Sequence, residues 1–233
     1  MSLRHDLPLA AATLGWLALA LTLAWLWRAR RAPERGAFFG SGAQQHLWLG
    51  AAVIVAFVWS IQVRALAGLE VGLLGGALVA LLLGPWRGAL ALLLALAVFN
   101  VLAPGSWLNF GLNAWLLAAL PCLIAGTLQA AIARWLPRNV FVFMLGNGLF
   151  VVLLTTAVVG LARIGLALAL APAGVELQAG DAAAYALLLA WGEALLSGML
   201  FCALVIYFPH LVRTYDQDVY LPRRGARPHD PQA

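Results

Sequence analysis

The hydrophobic pattern consists of long apolar runs, broken by short clusters of Arg, Gly, Pro and amide residues. A helix rising about 1.5 Å per residue crosses a hydrocarbon core of about 30 Å in roughly 20 residues. Seven runs meet that length or come close to it: 7–27, 46–63, 68–86, 88–103, 114–133, 140–171 and 185–210. The predicted fold is therefore all-α, a polytopic transmembrane helix bundle of seven spans. Residues 1–212 form one transmembrane domain, with 7–27 as an N-terminal extension and 213–233 as a cytoplasmic tail. Between spans, Gly84-Pro85-Trp86-Arg87-Gly88 reads as a tight inner turn and 104–113 as an outer loop rich in turn formers. Pro121 is expected to kink the fifth span. Gly68, Gly72 and Gly76 recur every four residues and predict a glycine ridge on the third span. Ala190, Ala194, Gly198 and Cys202 do the same on the seventh.

Composition sharpens this picture. Of 233 residues, 64% are hydrophobic and 10% charged, against a usual charged share of about 25%, which leaves almost no soluble domain. The net charge is +5, and all fourteen basic residues are Arg. Eleven fall on one predicted side (Arg28, Arg30, Arg31, Arg35, Arg87, Arg134, Arg138, Arg213, Arg223, Arg224 and Arg227) against three on the other (Arg4, Arg64 and Arg163). Positive loops stay cytoplasmic, so the N-terminus is expected outside and the C-terminus inside. The same distribution accounts for the basic balance without nucleic acid, and the expected surroundings are lipid. Cys122 and Cys202 lie in apolar runs and read as packing residues.

Polar residues inside apolar runs are the candidates for chemistry. Glu193 lies near the middle of the seventh run, where a carboxyl is costly and marks a functional site by default. Ser197, four residues on, shares its helical face. Two roles are open: a polar contact lining a cavity, or a carboxyl bonded to a backbone carbonyl or Ser197 that holds the bundle in register. Asn109 and Asn113 stand at the outer mouth of the fifth span, as ligand contacts or as helix caps. Asn100 and Asn147 are placed for interhelical hydrogen bonds. Glu70 is expected to pair with Arg64 or snorkel. His46 and His210 fall at the inner boundary. His5 and Asp6, with the Met1 amine, form a donor set that suits a divalent transition metal, or are simply polar terminal residues. No His matches Ser197 in depth, and no phosphate loop, zinc cluster or dinucleotide fingerprint is present, so an enzyme is not expected.

Four stretches carry a resemblance: LLGPWRGALAL (81–91), WLNFGLNAWLLAALP (107–121), RWLPRNVFVF (134–143) and GEALLSGMLFCALVIYFPHLVRTYDQDVYL (192–221). They resemble the CbiM/NikM-like family, the membrane permease or substrate-capture subunits of energy-coupling factor transporters for cobalt and nickel, and within it a proteobacterial branch of predicted permeases. The resemblance implies a seven-span, N-out bundle with no intrinsic cofactor. It implies a transition-metal ion as substrate, and a coupling membrane protein and ATPase subunits as partners. The inner turns around Arg87, Arg134 and Arg138 would then be the docking surface. Cobalt and nickel members begin Met-His and carry a further His near the start of the third span. This chain begins MSLRHD and has Gly72 at about the latter position. A membrane scaffold or assembly factor that retains the fold without that metal site is the alternative.

Overall fold

The structure is a computed structural model that describes residues 9–29, 42–60, 63–66, 69–71, 74–102, 107–137, 139–169 and 179–215. Helix α1 (Leu9–Ala29) is followed by α2 (Gly42–Ser60) and a short antiparallel hairpin, β1 (Val63–Leu66) and β2 (Leu69–Val71). Next come α3 (Gly76–Leu83) and α4 (Pro85–Leu102). The long helices α5 (Trp107–Trp135), α6 (Val140–Ala169) and α7 (Ala179–Tyr207) complete the bundle, and a 3-10 turn at Pro209–Leu211 leads into residues 212–215. Among the described residues, five helices are long and apolar enough to cross a membrane: α1, α4, α5, α6 and α7. Their outward faces carry large apolar side chains such as Leu21, Leu102, Phe141, Leu188 and Met199. That is the surface a bilayer covers.

The third segment departs from expectation. A single helix over 68–86 is replaced by the hairpin, an elbow at Leu74 and Gly75, and the eight residues of α3. The glycine ridge therefore does not exist as one helical face, because strand backbone ends at Val71 and the helix begins only at Gly76. Gly68 and Gly72 lie outside the described residues. Within the hairpin, Arg64 stands opposite Glu70 in the backbone register. At the far end of α3, Gly84 at φ 83° turns the chain so that Pro85 opens α4. Pro suits a first helical turn because its missing N–H would have no partner there. The turn is thus shorter than expected, and Arg87, foreseen on an inner docking surface, is buried within α4.

The fifth helix starts earlier than expected. A 3-10 turn at Trp107–Asn109 runs straight into it, so Asn109 and Asn113 lie in the helix, not in an outer loop. Asn109 makes no side-chain cap there. The expected kink takes the form of a wide i→i+5 turn at Trp115–Ala119, directly before Pro121. Proline lacks an N–H and its ring crowds the carbonyl four residues back, and the wide turn makes room. A second such turn at Gly146–Val151 interrupts α6.

Close backbone contacts lock the bundle. A Cβ on Gly15 of α1 would lie 2.7 Å from the backbone of Leu112, and one on Gly111 would lie 2.6 Å from the Trp16 ring. Trp16 packs on Phe110, which packs on Trp107, at centroid distances of 5.8 and 5.5 Å. A Cβ on Gly76 or Gly126 would press on Pro121 or Pro85, at 3.0 and 2.9 Å, so α5 touches the start of α3 and the start of α4. Gly198 of α7 meets the Gly148 carbonyl of α6, where a Cβ would sit 2.9 Å away.

Gly198→Ala is expected to destabilise the fold by about 1–3 kcal/mol, because the obstacle is backbone that cannot rotate aside. Gly192→Ala on the same helix meets nothing within 4 Å and should stabilise by about 0.5–1 kcal/mol through helix propensity. Thermal unfolding of the two variants in one detergent checks the pair; equal shifts would contradict this packing.

Candidate functional site

Glu193 lies midway along α7 and is 1% exposed. Its Oε2 accepts the backbone N–H of Leu74 at 2.8 Å, and its Oε1 accepts that of Gly75 at 2.8 Å. These two amides immediately precede α3, so the carboxylate grips the elbow through which the chain enters the helix. Gly75 takes a left-handed conformation, φ 65°, open to glycine at no steric cost. The Leu74 carbonyl is held from the other side by the Trp59 indole Nε1 of α2, at 3.0 Å. Thus the N–H and the C=O of Leu74 are both satisfied by side chains from different helices. A break in backbone pairing inside an apolar bundle needs such partners, since each orphan polar group there costs several kcal/mol.

Two groups from α6 complete the surroundings of the carboxylate. The Thr156 hydroxyl hydrogen-bonds to Glu193, and the Arg163 guanidinium interacts with it electrostatically. Thr156 and Arg163 are seven residues apart, which puts them on one face of α6. The positive end of the α3 dipole faces the same carboxylate, a favourable alignment. The arrangement as a whole is an internal clamp: a carboxyl group held by two amides and a hydroxyl, with the Arg163 charge acting on it, joining α2, α3, α6 and α7.

The other expected residues fall into three places. Ser197 is buried one turn along α7, beside the Gly198–Gly148 contact. Asn147 is buried in the wide turn of α6, where its Nδ2 donates to the Phe143 carbonyl at 3.0 Å and its Oδ1 has no partner. The hydroxyl of Thr155, also in α6, is buried without a partner as well. Asn109 and Asn113 are both buried in the first turns of α5, near the aromatic cluster of Trp16, Phe110 and Trp107. Hence Glu193 and Ser197 share α7 and Asn147 lies on the adjoining α6, while Asn109 and Asn113 belong to the α1–α5 contact. His5 and Asp6 lie outside the described residues. Among those described, no three His, Cys, Asp or Glu side chains come together.

Sequence reasoning pointed to Glu193 but proposed a backbone carbonyl or Ser197 as its partner; the partners are backbone amides. It passed over Trp59, Thr156 and the role of Arg163, which had been counted as a boundary residue of the outer side. A signal existed. Arg163 and Glu193 are the single charged residues of the last two apolar runs, and opposite charges in neighbouring buried helices tend to face each other.

The family model CbiM, described as "Cobalt uptake substrate-specific transmembrane region", matches residues 5–211. No curated protein matches the chain. Among solved structures, one described as "Crystal Structure of an Truncated Transition metal Transporter" is similar at a TM-score of 0.68. It is 16% identical, with 89% of this chain and 99% of that one covered. At that identity the likeness is one of fold.

Glu193→Ala leaves two buried amides unpaired, and at about 1–3 kcal/mol for each it should destabilise by about 2–6 kcal/mol. Glu193→Gln keeps one acceptor oxygen and should fall between that variant and wild type. Trp59→Phe frees only the Leu74 carbonyl and should be the mildest. Thermal unfolding in detergent ranks the three, and a Trp59→Phe loss larger than that of Glu193→Ala would refute the clamp.

Proposed function

The chain belongs to the CbiM family, and from that premise we propose that it is the membrane subunit of a metal-uptake transporter. The observation that carries this reading is the family match over residues 5–211, nearly the whole chain. In the finer form of the proposal, the transporter is of the energy-coupling factor type. The subunit takes a transition-metal ion of the cobalt or nickel kind as substrate from the outer side of a bacterial inner membrane, with the N-terminus outside. Partner ATPases and a coupling membrane protein supply the energy, as the sequence carries no nucleotide-binding motif of its own. The excess of Arg on one set of connections supports the orientation. A half-length helix entered through an irregular elbow supports the transport class, since discontinuous helices recur at transporter sites.

The substrate donors are assigned to the outer end, with His5 and Asp6 as the proposed ligands and Asn109 and Asn113 behind them. Helix α1 supports this placement: its contacts through Gly15 and Trp16 are with the first turns of α5, beside Asn109 and Asn113. Glu193 and Ser197 are assigned to the polar core that shapes the bundle, together with Asn147. In the division of the chain, residues 213–233 remain the proposed cytoplasmic tail, with its first three residues packed against the bundle.

One observation favours a second reading, a membrane scaffold or assembly factor. Both oxygens of the central carboxylate are engaged by the protein's own backbone, as a purely architectural role requires. Cells with and without the gene separate the two readings. Transport predicts lower cellular cobalt or nickel when the gene is deleted, and unchanged content of both metals would favour the scaffold. Under the transport reading, His5→Ala should raise the external metal concentration needed for half-maximal uptake about tenfold, on the scale of losing an orienting partner of a metal site. Wild-type uptake by that variant would remove His5 from the site.

A further inference from the structure

The short helix α3 is held at both of its ends by one continuous stretch of chain. At its start, Glu193 accepts from Leu74 and Gly75. At its finish, the Thr214 hydroxyl donates to the Leu81 carbonyl at 2.6 Å and the Arg213 N–H donates to the Leu82 carbonyl at 3.0 Å. The last carbonyls of a helix have no partner within it, and here residues 213–214 supply two. Those residues are anchored in turn: Val212 is buried, the Tyr215 N–H bonds to the Val212 carbonyl, and the Tyr215 ring packs on Phe143 of α6 at 5.2 Å. Leu81 and Leu83 face the core, so α3 is not free to slide past its holders.

The chain on either side of α3 differs from this rigid grip. Gly75 and Gly84 are the two glycines with positive φ among the described residues, and they flank the helix. Glycine moves between backbone regions more readily than any other residue, so these are the two positions at which α3 can swing as a unit. A helix of eight residues is about 12 Å long, and that length separates the Leu74–Gly75 elbow from the Thr214 contact.

We infer that Thr214 is a positioning residue for the elbow: its hydrogen bond at the far end of α3 sets the placement of Leu74 and Gly75 through the helix. Residues 208–215, Glu193 and α3 form one mechanical link between the middle of the bundle and the end where α7 finishes. A shift of residues 213–214 either breaks the bonds to Leu81 and Leu82 or carries the elbow with it. As a statement about metal capture this rests on the transport reading, but its test reads backbone exchange and is decided independently of uptake.

The experiment is amide hydrogen exchange on the full-length protein in detergent. Thr214→Val keeps the shape of the side chain and deletes the hydroxyl. The expected result is faster exchange at Leu74 and Gly75 by about fivefold, the scale of one hydrogen bond, while α5 and the second half of α6 keep their wild-type rates. Thr214→Ser should restore wild-type exchange at the elbow. Coupling is reciprocal, so Glu193→Gln should in turn speed exchange at Arg213 and Tyr215. Faster exchange confined to 211–215 and the end of α3, with the elbow at its wild-type rate, would overturn the inference. So would a uniform rise across α5 and α6, which would report general loosening. If Thr214→Val does not yield folded protein, Tyr215→Leu loosens the same segment through its contact with Phe143 and is read by the same outcomes.

Discussion

The pair of hydrogen bonds from Leu74 and Gly75 to the Glu193 carboxylate is the constraint on which the bundle's interior depends. Backbone that leaves helical or ladder pairing inside an apolar environment must find other partners. A carboxylate offers two oxygens at a spacing that suits two successive amides, and accepts them as charge-assisted bonds. Neutral side chains such as Gln or Ser present fewer acceptors at one point. With the amides held, the chain can enter α3 partway through the bundle, and α3 can be eight residues long where a full span was expected. Trp59 on the neighbouring carbonyl fixes the same residue from the opposite side.

Once α3 is short, other features follow from filling the space around it. Helix α5 meets α3 and the start of α4 at two glycine–proline contacts, Gly76 with Pro121 and Gly126 with Pro85. Each pairing sets a residue without a side chain against a rigid ring, allowing close approach with little entropy lost. On the other side, the Gly148–Gly198 contact brings α6 and α7 together at the level of the second wide turn. That closeness places Thr156 and Arg163 around Glu193. Small residues and wide turns therefore act together with the charge: they set the distances at which a buried carboxylate meets its partners.

Much of this architecture is legible in the residue pattern. The runs that became α1, α2, α4, α6 and α7 are each apolar enough, and bounded clearly enough, to be read directly. The third run misled because 68–86 is apolar from end to end apart from Glu70. Hydropathy reports the side chains and is blind to where backbone amides find partners. Of the two adjacent glycines, Gly76 was read by its spacing as part of a packing ridge, yet it opens a helix, and its neighbour Gly75 is a left-handed elbow. Glu193 was conspicuous as a carboxylate in an apolar run. Its partners were not, because they are main-chain groups more than one hundred positions away, and every residue has a main chain. Asn109 and Asn113 looked like loop residues on composition; the packing of Trp16 on Phe110 and Gly111 shows why helix wins there, since burying those rings needs an ordered backbone.

The engagement of Glu193 also bears on where a cargo cation can bind. A carboxyl group already bonded to two amides and a hydroxyl has little coordinating capacity left, and freeing it would orphan the Leu74 and Gly75 donors at once. Borderline metals such as cobalt and nickel favour imidazole and amine nitrogen over such an oxygen. Binding at the centre would therefore dismantle the elbow to gain a poor ligand. The contact of α1 with α5 carries no such penalty: it is made through Gly15 and Trp16, near the asparagines that open α5. In the proposed transporter, capture and architecture are thus separated along the bundle: the Glu193 carboxyl shapes the interior, and the proposed ligand His5 is left to meet the ion.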